Sequence, residues 1–170
     1  MDVRVKRRLR LRPATTRDQP LLERWSFQPH VEAASPNTSC SSRLEQPPGW
    51  RQRFIGELDR HPIGYIQLTE PARENRGASW AEEGDARRNI DLWIGEPGYL
   101  GQGYGSTMLQ LALAHCFSDL RITTVWLDPP ADNHHAHRFC ERLGFRFIEQ
   151  RRLGESHSRS YCMERRDWLG

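Results

Sequence analysis

The sequence contains no apolar run approaching the roughly 20 residues needed to span a bilayer. Its first stretch, MDVRVKRRLRLRP, is basic but has no apolar core of the kind a secretory signal carries. Four cysteines, Cys40, Cys116, Cys140 and Cys162, are scattered among 170 residues without a C-x-x-C pair. Such spacing argues against a disulfide framework or a zinc site and fits buried free thiols in a reducing compartment. Internal repeats are absent as well. The expectation is one cytoplasmic domain over residues 1–170, with no membrane segment and no metal.

Apolar residues make up 36% of the chain, and six tryptophans and six phenylalanines supply the bulk for a single core. Charged residues reach 28% with a net charge of +3, which is polar for a globular domain but not a disordered composition. Basic residues gather at Arg4, Lys6, Arg7, Arg8, Arg10 and Arg12. A basic arm can contact nucleic acid, but no aromatic-rich or helix-turn-helix pattern accompanies this one. It reads as the solvated tail of an edge strand, and no nucleic-acid partner is expected.

Val3, Val5, Leu9 and Leu11 alternate with basic residues, as in a strand with one solvated face ended by Pro13. Thr15 or Thr16 can cap a helix that buries Leu21, Leu22 and Trp25. Residues 28–48 carry Pro29, Pro36, Pro47 and Pro48 and read as a long loop, a binding element or lid. Residues 54–58 and 62–68, linked at Asp59-Arg60, read as a hairpin, and residues 70–88 as a second polar loop. Further strands are predicted at 90–95, 125–127, 145–148 and 160–163. Helices are predicted at 106–117 and 133–143, the second closed by Gly144. The order is that of an α+β fold on a mixed sheet.

Between the strand at 90–95 and the following helix lies GYLGQGYGSTML, residues 98–109. A strand, a glycine turn and a helix start together favour an anion, because the first-turn N–H groups lack partners and the helix dipole adds to them. A Walker loop is excluded, since no lysine precedes Ser106. A dinucleotide fingerprint is excluded by the two-residue spacing of Gly101, Gly103 and Gly105, late in the chain. A pyrophosphate held by backbone amides remains. Downstream, His134 and His137 share a helix face, but no partner stands at ligand spacing, so the segment reads as a solvated helix start without metal.

The order strand, Leu100-Gly101-Gln102-Gly103-Tyr104-Gly105, helix, strand, then Asn133, Ala136 and a helix ending at Gly144-Phe145 resembles the acetyl-CoA-binding half of the GCN5-related N-acetyltransferases. The resemblance covers about residues 88–150 and implies that family's fold: a central, mostly antiparallel sheet flanked by helices. It implies acetyl-CoA as co-substrate and direct transfer within a ternary complex. By the same resemblance Gln102, Gly103, Tyr104, Gly105 and Ser106 hold the pyrophosphate. Amides near Trp93 and Ile94 polarise the thioester, Asn133 hydrogen-bonds the pantetheine arm or the region of the sulfur, and Ala136 belongs to the coenzyme site. Two positions depart from the family: Leu100 offers no side chain to phosphate, and Cys140 stands where a tyrosine often serves as general acid. The Cys140 thiol either protonates the leaving thiolate or is a small buried hydrophobe.

The segment Phe54 to Gln67, the run Trp80-Ala81-Glu82-Glu83-Gly84-Asp85 leading to Ile90-Asp91, and Asp128-Pro129 are similar to those of aminoglycoside 6'-N-acetyltransferases. That resemblance implies a polycationic acceptor held by Glu32, Trp80, Glu82, Glu83, Asp85, Asp91 and Asp128. Asp91 would hold the amine and take its proton, and the acidic run would attract the polycation. Rival readings keep the enzyme but change the acceptor to a polyamine, an amino-acid or siderophore-precursor amine, or a protein N-terminus. A non-catalytic acyl-CoA sensor is a further rival. A monomer or homodimer is expected.

Overall fold

In the computed structural model, which describes residues 8–35, 49–74, 86–153 and 155–169, the short apolar runs pair into one seven-stranded sheet. Its strands are β1 (Leu9–Pro13), β2 (Arg51–Leu58), β3 (His61–Thr69), β4 (Arg87–Ile94), β5 (Thr124–Leu127), β6 (Arg146–Leu153) and β7 (Ser156–Glu164), in the spatial order β1-β2-β3-β4-β5-β7-β6. Every neighbouring pair is antiparallel except β4 with β5. The β2–β3 turn forms because Asp59 (φ 50°) and Arg60 (φ 68°) both adopt left-handed backbone, whose twist matches that of the flanking strands.

The helices are α1 (Gln19–Ser26), α2 (Pro29–Ala34), α3 (Pro71–Glu74), α4 (Tyr104–Ser118), α5 (His134–Arg142) and α6 (Arg165–Leu169). Helix α4 buries Met108, Leu109, Ala112, Leu113, Cys116 and Phe117. With Cys140 of α5 they cover one sheet face, against Ile63, Ile66, Ile90, Val125 and Leu127. The opposite face packs Leu22, Trp25 and Val31 from α1 and α2 onto Ile55, Tyr65 and Trp93. Trp93 stacks on Tyr65 (4.9 Å between centroids) and meets the edge of Trp25 (5.7 Å), geometries that aromatic quadrupoles favour.

A polar corner ties β1 and β2 to the start of α1. Glu57 and Asp18, both over nine-tenths buried, accept from Arg12 at 2.6 Å each, and Glu57 also accepts from Arg10 at 2.8 Å. Hydrogen bonds from Arg12 hold the Asp18 carboxyl below the usual range. Burial would raise Glu57, but Arg12 and Arg10 together outweigh it and keep it low.

The succession of strands along the chain matches the sequence expectation, while the predicted loops are partly ordered. The stretch expected to be a loop at 28–48 contains α2, which starts on Pro29 at a position where a missing N–H costs nothing. The loop expected at 70–88 contributes α3 and the first residues of β4. Strands β6 and β7 run well past the predicted 145–148 and 160–163; their outer parts carry Arg, Glu, Ser and His rather than alternating apolar residues, so the sequence pattern does not reveal them. His137 is buried, with Nε2 donating to Pro130 O at 2.9 Å, so the predicted solvated helix start holds only for His134 and His135.

Gly95 follows β4 under the Trp25 ring, and an added Cβ would lie 2.0 Å from the nearest ring carbon. We expect Gly95→Ala to displace Trp25 and cost about 1–3 kcal/mol. Differential scanning calorimetry should read this as a Tm loss of several degrees; an unchanged Tm would disprove the close packing.

Candidate active site

Strands β4 and β5 share only three residue pairs, Arg87–Thr124, Arg88–Val125 and Asn89–Trp126. Beyond them β4 continues along β3 while β5 ends at Leu127. Gly95 N–H donates to Ile63 O (2.8 Å), which fixes the parity of the ladder. Antiparallel alternation turns the backbone groups of Asp91 and Trp93 toward β3 and those of Leu92 and Ile94 toward the edge that β5 has left. The amides aimed into the gap are therefore those of Leu92 and Ile94. Trp93, expected beside Ile94 in this role, turns its amide into the ladder and its indole into the core.

A cleft of about 80 Å³ occupies this gap. Ile90, Leu92, Leu127, Ala136 and Phe139 give it apolar walls, and Asp91, Asp128 and Cys140 border it together. The structure thus brings four expected site residues, Asp91, Asp128, Ala136 and Cys140, to one place. Along β4, Asp91 alternates with Ile90 and Leu92, which places it on the sheet face of Trp93, opposite the face covered by α4. The cleft connects the two faces of the sheet.

At its outer end the chain leaves β4 through Glu96, whose Oε1 accepts from Trp25 Nε1 (2.8 Å) and Arg24 (2.5 Å). A 3-10 turn at Pro97–Tyr99 then leads to the glycines. Gly101 (φ 70°) and Gly103 (φ 84°) take left-handed backbone with open space where a Cβ would point. It is the backbone conformation, not crowding, that calls for glycine there. Gln102 Nε2 donates to Gly98 O (2.6 Å) and closes the loop on itself. Thr107 N–H makes the first α4 bond, to Gly103 O (3.2 Å), so the amides of Tyr104, Gly105 and Ser106 precede the helix ladder and are available to an anion. Arg142 of α5 reaches to 3.4 Å from Ser106 Oγ. It brings to this edge a cation that Leu100, 44% exposed, does not provide.

Asn133 caps α5 by accepting from Ala136 N–H (3.0 Å) while its Nδ2 donates to Ala33 O (3.2 Å), tying α5 to α2. Helix α2 is tied at its other end as well, where His30 Nε2 donates to Ile94 O (2.9 Å). It bridges the gap, with Ala34 bordering the cleft and Glu32 exposed. Cys140 is only 2% exposed, and burial pushes its thiol up to about 12. Asp128 Oδ1 accepts from Ser160 Oγ (2.5 Å) and Oδ2 from Asn89 Nδ2 (3.2 Å). Trp80, Glu82, Glu83 and Asp85 lie outside the described residues. Among the described residues no group of acidic, histidine or cysteine side chains is placed to hold a metal ion, and no helix is long and apolar enough to cross a membrane.

Sequence reasoning missed His30, Asn89, Arg142 and Ser160. Arg142 had a visible signal, since it lies two residues past Cys140 on the helix that packs beside the glycine loop. The others are contacts between distant segments and leave no local pattern.

This geometry agrees with what is found among known proteins. Residues 14–153 match the acetyltransferase (GNAT) domain. An aminoglycoside N(6')-acetyltransferase type 1 from Klebsiella pneumoniae is 29% identical over 146 residues, covering 79% of this chain and 72% of that protein. The fold superposes on aminoglycoside acetyltransferase AAC(6')-Ib in complex with coenzyme A and kanamycin, with a TM-score of 0.81, 24% identity and coverage of 95% and 98%. It also superposes on the Vibrio cholerae spermidine N-acetyltransferase in complex with coenzyme A and spermine, with a TM-score of 0.73, 18% identity and coverage of 95% and 98%. A gap between parallel strands, a glycine turn opening the crossover helix and a domain match over most of the length lead to one assignment: the chain belongs to the GNAT acetyltransferases.

Proposed function

We propose that this chain transfers the acetyl group of acetyl-CoA to the 6'-amine of an aminoglycoside. The observation that carries the reading is a cleft in which the β4 gap meets two carboxylates, Asp91 and Asp128. The kinship with aminoglycoside 6'-N-acetyltransferases supports the choice of acceptor, and the acidic run at 82–85 fits a polycation.

In this mechanism the amides of Gly103 to Ser106, with Arg142 beside them, receive the pyrophosphate. The Leu92 and Ile94 amides face the pantetheine arm and the thioester oxygen, where fixed donors stabilise charge that grows in the transition state. Asp91 holds the acceptor ammonium and takes its proton as the amine attacks, directly or through water. No covalent enzyme intermediate is needed. Cys140, with its thiol near 12, is a weaker acid than an ordinary thiol at about 8.5. It therefore serves as cleft wall, and solvent protonates the departing thiolate.

Release of free CoA thiol from acetyl-CoA, measured with kanamycin, tobramycin, spermidine and small amino acids, tests the acceptor. We expect release with the aminoglycosides. Release with spermidine or amino acids alone would replace the acceptor, and acetyl-CoA binding without turnover on any amine would favour the sensor.

Asp91→Asn should lower kcat by about 100-fold or more with the acetyl-CoA KM nearly unchanged, whereas Cys140→Ala should keep kcat within about threefold. Equal turnover in Asp91→Asn removes Asp91 from the mechanism, and a large kcat loss in Cys140→Ala restores the thiol as the acid. Gly103→Val forces a β-branched residue into left-handed backbone at a cost of roughly 1–2 kcal/mol. It should weaken acetyl-CoA binding about tenfold by calorimetry, and an unchanged Kd would refute the cradle.

A further inference from the structure

Asp128 borders the cleft, yet it is held from behind by neighbouring strands. Ser160 of β7, fully buried, donates to Oδ1 at 2.5 Å. Asn89 of β4 donates to Oδ2 at 3.2 Å and accepts from Arg87 Nε at 2.9 Å. Arg87 is itself buried, its guanidinium 3.9 Å from the centroid of the Trp126 ring. Its Nη2 stands 3.8 Å from Asp128 Oδ2.

That last distance is informative. A guanidinium and a carboxylate free to meet close to about 2.7–2.9 Å. Here Asn89 stands between them, bonded to both, and Ser160 draws the second oxygen toward β7. The carboxylate has about four acceptor sites. Ser160 and Asn89 occupy two, leaving capacity for a ligand in the cleft.

We infer that Ser160 and Asn89 are positioning residues for acceptor recognition, holding Asp128 off Arg87 so that its charge serves the amine substrate in the cleft. This rests on the acetyltransferase reading above. Without the Ser160 hydroxyl or the Asn89 amide, the loose 3.8 Å ion pair with Arg87 closes to a direct hydrogen-bonded one, and the carboxylate has less charge and fewer acceptor sites left for the substrate. The acceptor then loses a charge-assisted contact, while Asp91 and the glycine loop are untouched. The effect falls on acceptor KM rather than on kcat or on the coenzyme.

The test is steady-state kinetics of wild type, Ser160→Ala, Asn89→Ala, Asp128→Ala and the Ser160→Ala/Asp128→Ala pair. Acetyl-CoA and kanamycin are varied separately, and Tm is recorded for each protein. Ser160→Ala and Asn89→Ala should each raise the kanamycin KM roughly tenfold, with kcat and the acetyl-CoA KM within about twofold of wild type. Asp128→Ala should cost at least as much, and adding Ser160→Ala to it should change nothing further, since residues acting through one group are not additive. An unchanged kanamycin KM in both single variants overturns the proposal, as does an additive pair, or a lowered Tm as the sole effect. If Ser160→Ala fails to fold, Asn89→Ala, at a half-buried position, carries the decision. A wild type silent on kanamycin but active on another amine refutes the aminoglycoside acceptor, and the same KM comparison on that amine then decides this proposal. A wild type silent on every amine refutes both.

Discussion

β4 and β5 are the one parallel pair in an otherwise antiparallel sheet, and three residue pairs hold them before they part. Most of the site follows from that. Parallel neighbours cannot be joined by a hairpin, so the chain must cross over, and the crossover is α4. A crossover helix begins where the first strand ends, which sets its unpartnered amides at the mouth of the gap. The gap turns the Leu92 and Ile94 amides away from any strand partner, while Ile94 O already accepts from His30 at 2.9 Å, so the donors on this edge suit a ligand that brings acceptors. Helix α5 follows β5 and closes the other side. The proposed coenzyme site is thus the consequence of one topological choice, with glycines at 101 and 103 supplying the backbone angles that let the turn form.

The second constraint is that the cleft joins unlike faces of the sheet. On one side α4 and α5 pack Ile90, Leu127 and Cys140 into an apolar layer. On the other stand Asp91, Asn89 and Asp128. A charge next to a low-dielectric wall interacts more strongly than the same charge in water, so in the proposed reaction Asp91 and Asp128 would hold an ammonium more firmly than two carboxylates in open solvent. The same wall explains Cys140. Burial raises its thiol to about 12, so the feature that makes the carboxylates effective makes the cysteine a poor acid. Helix α2, tied through His30 to β4 and through Asn133 to α5, links the elements on the two sides of the gap.

The succession of strands along the chain, α1, α4, α5 and the glycine loop were legible because each rests on local pattern: alternation, helical spacing, or a glycine where φ must be positive. Gly144 (φ 88°) is such a case. Helices α2 and α6 were not legible, since six- and five-residue helices are fixed by tertiary contacts and not by propensity. Val31 holds α2 in the second core. Arg165 holds the start of α6 by donating to Phe117 O, Asp119 O and Ile122 O. Asp91 and Asp128 were legible as candidates through family resemblance, but their meeting in one cleft was not. Nor was the Arg87–Asn89–Asp128–Ser160 chain, which joins three strands and has no sequence period. The parity that selects the Leu92 and Ile94 amides over that of Trp93 requires knowing which edge of β4 is paired, and no single strand carries that information.

The walls of the cleft bear on which amine can react. The cleft is partly open and lined by the apolar side chains Ile90, Leu92 and Leu127. Between such walls an amine on an exocyclic methylene would meet less steric resistance than an amine borne directly on a ring. The apolar residues Ile90, Leu92 and Leu127 would flank the methylene, and Asp91 would meet the nitrogen. A ring amine would have to bring two substituted carbons past the same walls. Polyamines share the unhindered primary amine and satisfy this condition equally well. Discrimination between the two acceptors must then come from outside the cleft, where a ring system offers hydroxyls and further ammonium groups in fixed array. Under the proposed function Asp128, bordering the cleft and held by Ser160 and Asn89, would take part in that reading, because a fixed acceptor geometry rewards a rigid ligand more than a flexible chain.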